Sequence, residues 1–389
     1  MALGKLPALV YINGYGMKIV NLVLNSFVND SRVLKTSKTL INSGYDVSVV
    51  ALHDSGLKEH ETISNVSVYR IKLVTRSWPK YRLIQILKLF EFVVRFIFRY
   101  RKFDVLHCND LNGFFVGFCC KLTRPKIIIV YDSHEFAIND VPNQSARSIK
   151  LKKILEGFLI KFAHGVINVS DSIANEYSRL YNIPKPHLVL NCPAYYEQPK
   201  RNLLRESLSI RSDQTIFLYQ GGLSKGRGIE LLLEAFSDLD SDRNVLVCMG
   251  YGPLEALIQE KAHQQSTIFF HPAVTPDVLL NYTSSADYGV SFIEDSCLSY
   301  RYCLPNKMFE YLMAGLPVLT SNLFEMKRLV EIEGVGIVAE ENTVEGFRKA
   351  IELSLNQDYE EIQKNVFSAR KKYCWEEQEQ VLREIYNVL

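Results

Sequence analysis

An α/β protein of two doubly wound, Rossmann-like domains is what this sequence predicts, and three observations predict it. Short β-branched runs alternate with amphipathic helical stretches, the pattern of parallel sheets covered by helices on both faces. The length, 389 residues, exceeds what one hydrophobic core usually supports. A proline-rich stretch at 182–200 (Pro184, Pro186, Pro193, Pro199) breaks the alternation near mid-chain and marks a linker.

The elements follow in order. Met17 opens the first convincing strand, 18–24 (KIVNLVL). Residues 1–16 are apolar but lack a basic start and a cleavage site, so they read as an extension and not as a secretory signal. A helix over 31–43 and a strand over 46–51 come next. The segment 81–102, YRLIQILKLFEFVVRFIFRYRK, predicts a long helix. Gln85, Lys88, Glu91, Arg95, Arg99 and Lys102 recur along it at helical spacing, which excludes a plain membrane span. Two readings of this helix stay open: a core helix with a solvated edge, or one that seats the protein on an anionic leaflet. Strands at 104–107, 126–131 and 165–169 and a helix over 147–163 complete an N-terminal domain, 17–190. Strands at 215–219, 244–249, 286–292 and 317–320, with helices at 229–237, 253–263 and 343–355, build a second domain, 191–370. Residues 371–389 form a closing helix.

Charge divides with the domains. Residues 1–200 carry 27 Lys and Arg against 15 Asp and Glu, while residues 201–389 carry 18 against 28. The basic half points to an anionic partner, a membrane surface or a nucleic acid. Nucleic acid is the weaker reading, because no basic-aromatic interleaving or known module is present. The eight cysteines have no CxxC spacing, which argues against a metal site or disulfide framework and for a cytoplasmic setting.

Strand ends carry the polar residues: Asn109-Asp110, Asp132-Ser133-His134-Glu135, Gln220-Gly221-Gly222, Gly250, Glu294, and Ser321-Asn322. Open α/β sheets bind ligands beyond the carboxyl ends of their strands, so the two domains are expected to face a common cleft. In YQGGLSKGRGIELLLEAF, 219–236, Gly221, Gly222, Gly226 and Gly228 allow close backbone approach, and Lys225 and Arg227 supply charge for a diphosphate. Flexible loop with solvated cations is the plain alternative. In LPNKMFEYLMAGLPVLT, Asn306 is placed to cap a helix ended by Gly315. Lys307 and Glu310 share a face of its first turn, either as a local ion pair or as ligands of a phosphate and of sugar hydroxyls. His134, in YDSHEF, is either a satisfied polar group or part of a site.

Six motifs in this order resemble the GT-B glycosyltransferases, most closely the retaining nucleotide-sugar transferases of glycosyltransferase family 4. They are NDSRVLKTSKTLINSGYDVSVV, DVLHCND, YDSHEF, INVSDSIANEY, YQGGLSKGRG with CMGYGP, and LPNKMFEYLMAGLPVLTSN, and YCWEEQEQVLREIYNVL resembles the family's returning helix. The resemblance implies that Glu310 binds the donor's ribose, that Arg227 and Lys307 hold the diphosphate, and that His134 lines the acceptor side. It implies that the loop at Asn29, Asp30, Ser31 and Arg32 replaces the usual glycine-rich first loop. Asp30, Arg32, Asp110, Glu135, Gly221, Gly222, Lys225, Gly250, Glu294, Asn306 and Ser321 complete the expected substrate-binding set. Two positions depart from the family: Tyr302 stands where many members have a glutamate, and Gly222 where they have an arginine. Glu294 or Asp295 could replace that carboxylate, and Lys307 that cation.

The implied activity is metal-independent transfer of a sugar, with retention, from a nucleotide-sugar to a glycan or lipid-linked acceptor in cell-surface polysaccharide synthesis. No cofactor is expected beyond the donor, with a UDP-sugar favoured, and peripheral attachment to the inner membrane face fits the basic half. A nucleotide-sugar 2-epimerase of the same fold and a non-catalytic nucleotide-binding partner subunit are the alternatives.

Overall fold

The computed structural model describes residues 16–197, 199–237, 239 and 242–389, so the predicted extension lies outside the described residues save Gly16. Its chain divides into two compact units, one of 16–133, 156–167 and 379–389, the other of 134–155 and 168–378.

The first unit is built on strands β1 (Lys18–Leu22), β2 (Asp46–Leu52), β3 (His60–Ile63), β4 (Val66–Ile71), β5 (Val105–Asn109), β6 (Ile128–Ser133) and β7 (Gly165–Asn168). They lie in the order β3-β4-β2-β1-β5-β6-β7. β1 is central and parallel to both β2 and β5, and β3 runs antiparallel on β4. This β3–β4 hairpin is absent from the expected strands. It turns at Ser64 and Asn65, both with positive φ (48° and 68°), the twist-matched turn usually signalled by Asn-Gly. Buried Arg70 holds the hairpin down: it donates to the carbonyls of Ser26 (2.8 Å) and Lys58 (2.9 Å) and to the Glu61 carboxylate (2.5 Å).

Outside this sheet runs the Arg82–Arg99 helix. Only Phe92, Val93 and Phe96 of it are buried. Leu83, Leu87, Phe90, Val94 and Phe98 are all at least half exposed and recur at three- and four-residue spacing, so they form one stripe. The core-helix reading therefore accounts for one face only. Glu91 fixes the helix: it accepts the N–H groups of Val74 (2.7 Å) and Thr75 (2.9 Å) and bonds Arg95 (2.7 Å). Burial pushes its carboxyl up, yet these hydrogen bonds bring it down to about 2.

In the second unit, a two-residue strand β8 (His187–Leu188) precedes β9 (Thr215–Gly222), β10 (Asn244–Tyr251), β11 (Ile268–Pro272), β12 (Tyr288–Ser291), β13 (Val318–Thr320) and β14 (Gly336–Val338). The last six lie in the order β11-β10-β9-β12-β13-β14, and every pairing is parallel. Strand order reverses between β9 and β12, the switch point at which such sheets open a crevice. Both faces are packed. Ile216 and Leu218 sit in one apolar cluster with the Asn306–Ala314 helix, and Phe217 and Tyr219 in another with the Ile229–Ser237 helix. The β11 and β14 strands escaped prediction because they are short edges with little alternation. Tyr311 lies so close to β12 that a Cβ on Gly289 would sit 2.2 Å from its ring.

Candidate functional site

The carboxyl ends of β9 and β10 lie side by side, Gly221 opposite Gly250 and Gly222 opposite Tyr251. A Cβ on Gly250 would stand 1.9 Å from the Gly221 carbonyl oxygen, so only glycine permits this approach. Beyond it the 221–228 loop folds back. Gly228, at φ +68°, leaves no room for a Cβ, which would be 2.3 Å from the Phe292 carbonyl oxygen. Gly222 differs: it is exposed, with open space where a side chain would start. Lys225 is exposed as well.

Over this loop stands the start of the Asn306–Ala314 helix. Pro305, not Asn306, occupies its N-cap position; Asn306 is the first helical residue and is exposed, which corrects the expected cap. Gly315 ends the helix at φ +84°, as expected. The Lys307 ammonium lies 3.4 Å from the centre of the Tyr219 ring, and its buried Nζ has no hydrogen-bond partner. Burial lowers its pKa to about 7, the nearby Arg227 charge adds to that, and Glu310 opposes it. Arg227 in turn lies over the Tyr300 ring, 4.5 Å from its centre. Two cations sharing a partly buried patch, each resting on an aromatic face, repel each other until an anion arrives. The patch suits a diphosphate.

Glu310 points to the end of β9. Its Oε2 accepts from Gln220 Nε2 at 2.5 Å. Gln220 Oε1 faces the Thr283 hydroxyl at 2.8 Å, and the Gln220 N–H donates to the Tyr311 hydroxyl at 3.0 Å. A carboxylate in an apolar helix is thus met by an amide donor. Tyr219 and Thr283 were not singled out from the sequence, and Gln220 was named only as a polar strand end and not as a site residue. Gln220 lay in the open, as a polar residue ending an apolar strand inside the glycine motif.

Four other residues singled out from the sequence have defined surroundings here. Ser321 is buried and its Oγ accepts the Ile293 N–H at 2.5 Å, tying together the ends of β12 and β13. Glu294 is half-buried and donates its N–H to the Gly226 carbonyl at 3.2 Å. Asp295, the other substitute carboxylate, is paired with Arg301 at 2.9 Å. Tyr302 packs edge-on against Phe136 with centroids 6.2 Å apart, and its carbonyl accepts from Ser170 Oγ at 2.7 Å.

His134 and Glu135 follow β6, half-buried and exposed respectively. Two residues on, the Phe136 N–H donates to Ser299 Oγ (3.3 Å), and the Leu298 N–H donates to Asn139 Oδ1 (2.8 Å). Burial raises the Tyr300 phenol, Arg227 lowers it and Glu135 raises it, so the charges of Arg227 and Glu135 act on the same tyrosine in opposite senses.

In the first unit, Asp30 is the N-cap of the Ser31–Asn42 helix, accepting the Val33 N–H at 3.2 Å. Arg32 is buried and pairs with Asp132 through Nε (3.0 Å) and Nη2 (2.7 Å). His107 bridges Asp132 (3.4 Å) and the Tyr386 hydroxyl (2.7 Å). Asp30 and Arg32 thus both have structural partners in the first unit. Asp110 is exposed at the start of the Asp110–Thr123 helix, with φ +59°.

Known proteins share this fold. Residues 31–192 match the family model described as Glycosyltransferase Family 4, and residues 214–357 match that of Glycosyl transferases group 1. The chain belongs to the GT-B glycosyltransferases. An uncharacterized glycosyltransferase of Methanocaldococcus jannaschii is 24% identical to this glycosyltransferase over 319 residues, 77% of each chain. Sucrose-phosphate synthase from Thermosynechococcus elongatus shares the fold at a TM-score of 0.78 and 18% identity, over 95% of this chain and 98% of that one. Anabaena HepE, solved in complex with UDP-glucose, does so at 0.73 and 15%, over 96% and 100%. The glycosyltransferase thus keeps the fold of these proteins, with Gly222 in its 221–228 loop.

Proposed function

We propose that this glycosyltransferase moves a sugar, with retention and without a metal, from a nucleotide-sugar to a hydroxyl of a glycan or lipid-linked acceptor. The observation that carries the reading is the convergence of Lys307, Arg227 and Glu310 on the carboxyl end of β9, beside a loop whose glycines let a ligand reach the backbone. Lys307 and Arg227 take the diphosphate, and Glu310 takes the ribose hydroxyls. A UDP-sugar is the first candidate, since HepE of the same fold was solved with UDP-glucose.

The chemistry needs little from the protein beyond placed charge. The bond from the anomeric carbon to the β-phosphate oxygen breaks, and the two cations stabilise the charge that develops on the diphosphate. A new bond forms to the acceptor oxygen on the same face of the sugar, and the acceptor's proton passes to the departing phosphate. His134, with Glu135 beside it, serves the acceptor side.

Attachment to the cytoplasmic face of a membrane belongs to this reading. No described helix is long and apolar enough to span a bilayer. The exposed stripe of the Arg82–Arg99 helix, flanked by Arg82, Arg95 and Arg99, suits an in-plane position on anionic lipid. An acceptor carried on a lipid or a growing surface glycan would be met there.

Thermal-shift screening against UDP, GDP and ADP and their sugars tests the donor assignment: one nucleotide should stabilise well above the others. Glu310→Ala and Arg227→Ala should each lower transfer by about 10²-fold without lowering the melting temperature, a typical loss for one electrostatic contact to a transition state. Full turnover in both variants would remove the site. Release of an epimerised nucleotide-sugar from donor alone would favour the 2-epimerase.

A further inference from the structure

Gln220 is almost wholly buried, at 1% exposure, yet it makes three polar contacts that lead to one place. Its backbone N–H is held by the Tyr311 hydroxyl, itself bonded to the Val290 carbonyl at 3.1 Å. Its side chain lies between Thr283 Oγ1 and Glu310 Oε2. The orientation of the amide follows from chemistry. An ionised carboxylate can only accept, so the NH₂ group must face Glu310 and the carbonyl oxygen must face Thr283. Thr283 then has to donate its single hydroxyl proton to Gln220 Oε1 at 2.8 Å, in competition with the Leu279 carbonyl at 2.9 Å. Thr283 is fully buried, so no solvent takes over that contact.

We infer that Gln220 is a positioning residue for Glu310 in donor recognition, its amide oriented by Thr283 so that the carboxylate is fixed to read the ribose diol of a nucleotide. This rests on the ribose role proposed for Glu310. A carboxylate free to swing would still attract a nucleotide's hydroxyls, but it would lose the defined geometry that separates a diol from a single hydroxyl. Buried polar relays of this kind fix one geometry, and they lose it when any member is removed.

The test uses UDP, GDP and ADP with their 2′-deoxy counterparts, titrated calorimetrically into the full-length protein. In the wild type, the nucleotide that binds should do so about tenfold or more tightly than its deoxy form, the size of one good hydrogen bond. Thr283→Val keeps the shape and removes the donor, and Gln220→Met removes the amide. In both, the ribo-to-deoxy ratio should fall towards one while affinity for the deoxy nucleotide stays near the wild-type value. Thr283→Ser restores the hydroxyl and should restore the ratio. A Thr283→Val protein with the wild-type ratio would overturn the inference. So would one that loses ribo and deoxy forms equally, since that marks ordinary structural damage. A wild type that does not distinguish the two forms, or binds none of the three nucleotides, would instead overturn the ribose role of Glu310 and this inference with it.

Discussion

Lys307 carries the most weight in the proposed chemistry, because its surroundings work against its charge. Tyr219, Arg227, Glu310, Cys248 and Cys303 face it, and only Glu310 among them brings an opposite formal charge. With a pKa of about 7, the ammonium loses its proton as pH rises through neutrality, whereas a diphosphate bound beside it favours the charged form. Binding above pH 7 must therefore take up a proton. The affinity for UDP should weaken from pH 7 to 9 by at most about tenfold per unit, with proton uptake visible as a buffer-dependent enthalpy. Lys307→Met should abolish both effects, and a wild type with flat affinity over that range would remove Lys307 from the diphosphate. Residue identities such as Lys307, Glu310 and Arg227 were legible from their place in the motifs. The partners were not. Tyr219 and Gln220 alternate along one strand, and which of them meets which side chain of a helix 90 residues away is decided only by packing.

At the scale of elements, alternation revealed the central parallel strands because they are long, β-branched and bounded by turn residues. The edges escaped. β3 and β4 depend on a Ser-Asn turn with two positive φ values, which carries no glycine to announce it. Their hairpin is instead specified from a distance by Arg70, whose guanidinium joins two loop carbonyls and Glu61. Arg70→Met should cost about 3 kcal/mol, since it leaves those acceptors unpaired in a buried place. A melting temperature equal to that of the wild type would show that the hairpin is held by its backbone pairing alone. The expected cap at Asn306 failed for a related reason: Pro305 already has the extended backbone (ψ 141°) of a helix entry, so the helix starts one residue earlier than the side-chain chemistry suggested.

For the whole molecule, the opposed charges of its two halves and the bare stripe on the Arg82–Arg99 helix combine into one prediction. The protein should co-sediment with vesicles containing phosphatidylglycerol and less with neutral ones, each basic group near the surface contributing about 1 kcal/mol. Leu87→Asp with Phe90→Asp should release it from anionic vesicles while leaving nucleotide affinity unchanged. Equal sedimentation of the double variant would reassign the stripe to another partner. The fold class was legible from periodicity and length, whereas the discontinuity of the first unit was not, because nothing local records it. That unit gathers 16–133, 156–167 and 379–389, and Tyr386 from the last of these is buried against His107 in the middle of the sheet. On the ribosome, its strands would emerge long before the segment that seals them. The earlier-made half must then wait, with part of its interior uncovered, for the later-made half to be translated, and it is during this interval that the chain most needs a chaperone.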